Sequence, residues 1–273
     1  MTISILTDNY PGENTDFEHG LSYLIEHDGK SLLFDTGQSN LFLKNAWVMG
    51  IEIININTIV LSHGHFDHGD GLQYLAGGDL ICHPGCFVKR YRKADYSYIG
   101  LKNSREELSG KFNLVTSSTP YQITEKIVFL GEIPRVTDFE SKKTPFVLEG
   151  GIPDFVMDDS GIALLLNEGL FVVTGCGHAG IVNTLEHAKK VTGENRLYGV
   201  MGGFHLKKVD RQTEETVHYL KENNVKHVYP SHCTEQPALE LFYKNFGENK
   251  VRTGAIFTFL KNIHHGRNIY PNA

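Results

Sequence analysis

Residues 62–71 read Ser-His-Gly-His-Phe-Asp-His-Gly-Asp-Gly, which puts His63, His65, Asp67 and His68 within six positions. Imidazole nitrogens with a carboxylate oxygen suit Zn²⁺, and also iron or manganese. The run follows an apolar stretch and precedes a short helical one. It therefore sits in a loop, whose side chains are not tied to one period and can turn toward a single point. Gly64 permits a sharp turn, and Gly69 and Gly71 let the following backbone approach closely. A surface loop has no need of three histidines and an aspartate at this spacing, so the density itself argues for metal.

A two-metal site needs more donors than this loop carries. His178, His205 and His232 each follow an apolar, strand-like run and sit beside glycine or proline. One such histidine is usually structural, but three in a chain with a His-rich loop become candidate ligands. Cys176 lies in Gly-Cys-Gly and reads equally as a thiolate ligand or as a small buried residue. The spacings of Cys82, Cys86, Cys176 and Cys233 match none of the usual iron–sulfur runs. The stretch Lys89-Arg90-Tyr91-Arg92-Lys93 is either a solvated basic turn or a grip for a phosphorylated substrate, with Lys89 and Arg90 its candidate contacts.

The elements that must position these groups fall into two similar halves. Strands are expected at 2–7, 21–26 and 31–35, the last two joined at Asp28-Gly29-Lys30, a tight hairpin signal. A helix at 39–50 closes on Gly50. Then come a strand at 56–61 that delivers His63, a short helix at 71–76 and a strand near 80–83. From 84 to 153 the pattern is weak, with strands plausible at 112–116 and 126–130, and reads as an irregular insertion or cap over the site. The second half has a hairpin (162–166 and 170–174), a helix (181–192), a strand (197–201), a helix (210–223), a strand (225–229), a helix (235–246) and a final strand (255–260). Alternation of this kind in one 273-residue domain predicts an α/β protein, an αββα sandwich of two sheets with helices outside. Polar residues collect where strands end, as they do around active sites of α/β folds.

Composition bounds the function. A net charge of −6 argues against nucleic acid as a general partner, because phosphate backbones require a basic face. No run approaches the roughly 20 apolar residues of a membrane span. The start lacks a basic segment ahead of an apolar one, and cysteines are few, so the reading is cytoplasmic with reduced thiols. The expected partner is a small-molecule substrate, and a homodimer stays open.

The run at 62–71 resembles the HxHxDH signature of the metallo-β-lactamase superfamily, and Asp35-Thr36-Gly37 resembles that superfamily's early aspartate turn. More narrowly, Asp8-Asn9, Glu18-His19-Gly20-Leu21-Ser22, Gly175-Cys176-Gly177-His178-Ala179-Gly180-Ile181, Gly202-Gly203-Phe204-His205-Leu206 and His232-Cys233-Thr234 resemble one subgroup. Its characterised archaeal members are dihydropteroate-synthase-like and make 7,8-dihydropterin-6-methyl-4-(β-D-ribofuranosyl)-aminobenzene-5'-phosphate. The resemblance spans nearly the whole chain and implies the metallo-β-lactamase fold. It implies His63 and His65 on one metal, Asp67 and His68 on another, and His232 as the last ligand. Two departures stand out. Asp158-Asp159 stands roughly where the superfamily has a further His, and Cys176 where it has a bridging Asp, so His178 is expected to fill one vacancy.

The expected activity is that of a metal-dependent hydrolase. Two divalent ions, zinc first among the candidates, would activate hydroxide against an ester or phosphoester. Asp67 would be both ligand and proton acceptor, and His205, if not a ligand, would polarise the substrate oxygen or donate a proton. Two rivals accompany this reading. One is a synthase that displaces diphosphate from a dihydropterin; the other is a non-enzymatic protein that binds a metal and a small ligand.

Overall fold

The computed structural model describes residues 1–259. In chain order the first part contains β1 (Thr2–Thr7), β2 (Ser22–His27), β3 (Lys30–Phe34), α1 (Leu41–Val48), β4 (Thr58–Val60), α2 (Phe66–Gly69) and β5 (Asp79–Cys82). The middle contains β6 (Arg90–Arg92), α3 (Arg105–Ser109), β7 (Asn113–Thr116), β8 (Tyr121–Thr124), β9 (Ile127–Phe129) and β10 (Phe146–Leu148). The last part contains β11 (Gly161–Leu166), β12 (Gly169–Thr174), α4 (Ile181–Thr192), β13 (Leu197–Gly203), α5 (Arg211–Glu222), β14 (His227–Ser231), α6 (Gln236–Phe246) and β15 (Ile256–Thr258).

Two sheets result, ordered β15-β1-β2-β3-β4-β5-β7 and β14-β13-β12-β11-β9-β8. Alternating apolar residues explain why they pack face to face. Ile3, Ile5, Tyr23, Ile25, Phe34 and Val60 of the first sheet meet Ile162, Leu164, Phe171, Val173 and Met201 of the second in one buried core. The opposite faces are also apolar. Phe42 and Ala46 of α1 cover Leu24, Leu33 and Ile59 of the first sheet. Leu185 of α4, Leu220 of α5 and Phe242 of α6 cover Ala163, Val172 and Val200 of the second. These are the four layers of the expected sandwich.

The β2–β3 hairpin turns through Asp28 and Gly29, both at positive φ, as a two-residue primed turn requires. The short helix expected at 71–76 is instead a 3₁₀ turn over Asp70–Tyr74. A Cβ on Gly71 would lie 2.1 Å from the Thr36 carbonyl oxygen, so the segment is pressed against the neighbouring turn and packing sets its shape. Residue 260 of the expected final strand lies outside the described residues.

Within 84–153, three strands belong to the sheets. β7 runs parallel to β5 at one edge, and β8 and β9 form an antiparallel hairpin at the edge of the other sheet. Three or four residues give too little alternation to separate such strands from a loop. The covering part is smaller: β6 and β10 pair antiparallel and bring Phe146 against His65, ring centroids 5.0 Å apart. The helix α3 was not anticipated, although Ser104 and Glu107 form a capping box whose spacing is legible in the chain.

Topology decides where the polar strand ends go. β3, β4 and β5 are mutually parallel, as are β12, β13 and β14. Their C-terminal ends therefore share an edge within each sheet. The two edges meet where Ser160 N–H donates to the Ser62 carbonyl (3.0 Å).

Candidate metal centre

The donors leave the C-terminal ends of five strands. Asp35 follows β3; His63, His65, Asp67 and His68 follow β4; Cys176 and His178 follow β12; His205 follows β13; His232 follows β14. Gly64 is forced at its place, since a Cβ there would sit 1.9 Å from the Cys86 carbonyl oxygen. Its N–H donates to Asp158 Oδ2 (2.8 Å), which pins the loop.

The side chains gather into overlapping donor groups, each with ligand atoms within 4.8 Å of one another. One is His63, His65 and His178; a second is His19, Asp67 and His232; a third is His63, His68 and Cys176. His63 Nε2 lies 2.9 Å from His65 Nδ1, and His68 Nε2 lies 3.1 Å from His232 Nε2. The outward nitrogens are fixed from behind. His63 Nδ1 meets Ser62 Oγ (2.9 Å), His68 Nδ1 meets Asp35 Oδ2 (2.7 Å) and His232 Nδ1 meets Asn9 Oδ1 (3.0 Å). Ligating histidines are oriented in this way, with the second nitrogen bound so that the first faces the metal.

Two buried nitrogens, His65 Nε2 and His178 Nε2, have no hydrogen-bond partner in the protein. Leaving such groups unpaired costs about 1–3 kcal/mol each. Convergent, unpartnered imidazole nitrogens beside an ionised carboxylate are what a divalent cation would satisfy, so the donor set fits the metal that the sequence implies. Electrostatics agree. Burial, then the neighbouring histidines, hold His63, His65 and His178 well below the ordinary imidazole range, in the neutral form that ligates. Burial opposes ionisation of Asp67, but His68, His19 and His232 outweigh it and hold the carboxyl well below its usual range. Burial also opposes the charged form of His68, yet Asp67 and Asp35 carry its pKa upward.

These groups open on a cavity of about 630 Å³, lined also by Asn9, Tyr10, Arg92, Phe146, Lys207 and Cys233.

Residues 15–78 match the Metallo-beta-lactamase superfamily profile. The 7,8-dihydropterin-6-methyl-4-(beta-D-ribofuranosyl)-aminobenzene-5'-phosphate synthase of Methanocaldococcus jannaschii is 34% identical over 95% of this chain and 97% of its own length. The chain belongs to the metallo-β-lactamase superfamily. The uncharacterized protein MJ0448 of the same organism is 36% identical over 87% of this chain and 92% of its own. The crystal structure of Tm1679, a metal-dependent hydrolase of the beta-lactamase superfamily, matches with a TM-score of 0.85 at 29% identity, covering 96% of this chain and 100% of that one.

Set in the metallo-β-lactamase fold, most expected site residues come together. His63, His65, Asp67, His68, Cys176, His178 and His232 all enter the three donor groups. His205 reaches the same cavity, its ring centroid 4.4 Å from His178, but its donor atom groups with Cys176 and Cys233. Asp158 and Asp159 enter none of these groups. Asp158 is bound to Arg90 and Gly64 N–H, and Asp159 Oδ2 accepts from Ala179 N–H (2.8 Å).

The substrate contacts expected at Lys89 and Arg90 require correction. Arg90 is 1% exposed and is not among the residues that line the cavity. Its Nη2 donates to Asp158 Oδ1 (2.7 Å) and its Nε lies 3.5 Å from Asp154 Oδ2. A guanidinium held by two buried carboxylates is not free for a phosphate. Lys89 is exposed and paired with Glu149 at 3.6 Å. Arg90 lies at the buried start of β6 and Arg92 at its exposed end, where Arg92 reaches the cavity with Lys207.

His19 was not anticipated as a donor. Its Nε2 lies 3.1 Å from Asp67 Oδ2, and its ring stacks on His232 with centroids 5.3 Å apart. Asn9 ties the two together: its Nδ2 lies 3.2 Å from His19 Nδ1 and donates to the His232 carbonyl (2.9 Å). No strand precedes His19, so the signal used for the other histidines was absent.

Proposed function

We propose that this protein is a metal-dependent hydrolase with two divalent ions, zinc first, with iron or manganese as alternatives, acting on an ester or phosphoester of a small molecule. The observation that carries this reading is the convergence of His63, His65 and His178 beside His19, Asp67, His68 and His232, with buried imidazole nitrogens that no protein group satisfies. Ions held there would supply Lewis acidity to a substrate oxygen and to water. The protein's own groups do the rest. Asp67, its side chain 8% exposed, stays ionised and offers Oδ2 as the proton acceptor at the cavity floor. His205, on the cavity wall, is within reach of a substrate oxygen unless it is itself a ligand. Phe146 packs on His65 and His178 and limits water there. Arg92, and Lys207 3.5 Å from Glu235, line the cavity wall, and Arg92 favours an anionic, phosphorylated substrate.

The likeness to the M. jannaschii synthase supports a second reading, displacement of diphosphate from a dihydropterin by an aminobenzene acceptor on this same site. The test for both is turnover by metal-reconstituted wild type and by Asp67→Ala. Substrates are phosphomonoesters, phosphodiesters, diphosphates, lactones and thioesters, then a dihydropterin diphosphate with an aminobenzene acceptor. Hydrolysis lost in Asp67→Ala supports the first reading, and product only from the paired substrates supports the second. Wild-type rates in Asp67→Ala would sink the scheme. Tight metal binding without turnover of any substrate would leave a non-enzymatic binding protein.

A further inference from the structure

The imidazole-rich centre leaves two donors unused, Cys233 and His205. They lie with Cys176 in a separate group whose sulfur and nitrogen atoms fall within 4.8 Å of one another. Three parallel neighbours build it. Cys176, His205 and Cys233 each lie two residues past the last paired position of β12, β13 and β14 and so stand at the same edge. Convergence of this kind follows from parallel register, which sets equivalent positions of adjacent strands side by side.

The surrounding backbone is shaped around these groups. A Cβ on Gly203 would lie 2.5 Å from the Gly175 carbonyl oxygen, 2.6 Å from Cys233 Sγ and 3.1 Å from the Cys176 Cα, so glycine lets this strand end pack closely against Cys176 and Cys233. His205 is held at φ 51°, a left-handed conformation that a histidine adopts at some cost in strain. Its Nδ1 is buried without a hydrogen-bond partner. Cys233 Sγ lies 3.4 Å from the Cys176 carbonyl oxygen and within hydrogen-bonding reach of the Cys176 and His205 side chains. All three side chains line the cavity, so an ion can reach them. A strained, glycine-supported cluster of two thiols and an imidazole with an unpartnered buried nitrogen, on an open cavity, is a binding geometry rather than a packing one.

We propose that Cys176, His205 and Cys233 form a soft metal subsite that takes a thiophilic divalent cation such as Zn²⁺ or Cd²⁺, distinct from the His63/His65/His178 group. Two sulfurs and one imidazole are softer than the neighbouring nitrogen and carboxylate donors, and they select zinc or cadmium over iron or manganese. Cys176 belongs both to this subsite and to the group with His63 and His68, and so joins the two centres.

The test uses the full chain, reduced, stripped with a chelator and titrated anaerobically with Cd²⁺. Wild type should develop near-ultraviolet thiolate-to-cadmium absorption. Cys233→Ser should retain about half of it, because one of two sulfur ligands is gone. His205→Ala should weaken the binding that produces the band on the order of tenfold or more. His63→Ala/His65→Ala should keep the band, which separates this subsite from the imidazole centre. The cadmium NMR shift of wild type counts sulfur ligands without any variant, and should report two. The proposal is overturned by a wild type without the band whose thiols titrate as free in denaturant. It is equally overturned by a band unchanged in Cys233→Ser or in His205→Ala, by a band lost in His63→Ala/His65→Ala, or by a shift that reports one sulfur or none.

Discussion

Asp35 and His68, 33 residues apart, meet at 2.7 Å in the interior, with neither side chain exposed to solvent. Asp35 Oδ2 also accepts from Ser62 Oγ (2.7 Å), and its Oδ1 accepts from Ser62 N–H (2.7 Å). One carboxylate thus orients His68 directly and His63 through Ser62. Asp35→Asn keeps the shape but replaces an acceptor with a donor. His68 Nδ1 must then accept, which moves the ring proton to Nε2 and blocks that nitrogen as a ligand. We expect metal affinity to fall roughly 10–100-fold, read by competition with a chromophoric chelator, with far-ultraviolet circular dichroism retained. Unchanged affinity would separate Asp35 from ligand orientation.

His19 is half exposed, yet it sits over Asp67 and His232. If it completes the Asp67 group, His19→Ala should lower zinc content from about two equivalents toward one, while the His63, His65 and His178 group keeps its ion. Elemental analysis after dialysis decides this. Two full equivalents in the variant would leave His19 as a substrate-facing residue only.

How much of this was legible depended on how local the signal was. The His63–His68 loop carries four donors in six residues and needs no tertiary information. His178 and His232 could be read because apolar strands deliver them. His19 and Asn9 could not, because they lie in loop text and acquire meaning only when β1 and β14 come together. Arg90 shows the reverse error. A basic run reads as a surface grip, but Arg90 sits at the buried start of β6 with its guanidinium against Asp154 and Asp158, and the partners lie more than 60 residues away. β7 and β9 fall on the strands read at 112–116 and 126–130, whereas β8, with four residues, holds too few alternations to stand out.

The Arg90 pairing sets stability more than binding. Arg90→Ala leaves Asp154 and Asp158 buried without their cation, a class of change that costs about 3–5 kcal/mol. Asp158 also holds Gly64 N–H, so the His-rich loop should loosen at the same time. Arg92→Ala, at an exposed position on the cavity wall, should cost under about 0.5 kcal/mol but raise KM for anionic substrates with kcat nearly kept. Urea unfolding and steady-state kinetics on the two variants test the assignment. A stable Arg90→Ala protein with a selective KM defect would restore Arg90 as a substrate contact.

Glu140 gives the fold a pH dependence independent of metal. It is fully buried, and it accepts from Val182 N–H (2.9 Å) and Asn183 N–H (2.8 Å) at the start of α4. Burial pushes its carboxyl up from 4.5 to about 7, against the pull of those N–H groups. Between these values the folded chain binds more protons at this site than the unfolded chain does. Its contribution to stability is therefore complete below pH 4.5 and is lost as pH rises through about 7. At ~1.4 kcal/mol per pH unit, this rise amounts to roughly 3 kcal/mol. Buried His63, His65 and His178, with lowered pKa, change stability in the opposite sense, and His68 and His232, with raised pKa, in the same sense, so the informative quantity is the difference between wild type and Glu140→Gln. Measured by urea unfolding of metal-free protein, the loss of stability from pH 5 to pH 8 should be smaller in the variant by up to about 3 kcal/mol. Equal losses in the two proteins would mean that Glu140 stays ionised across this range, held by the N-terminus of α4 rather than neutralised by burial.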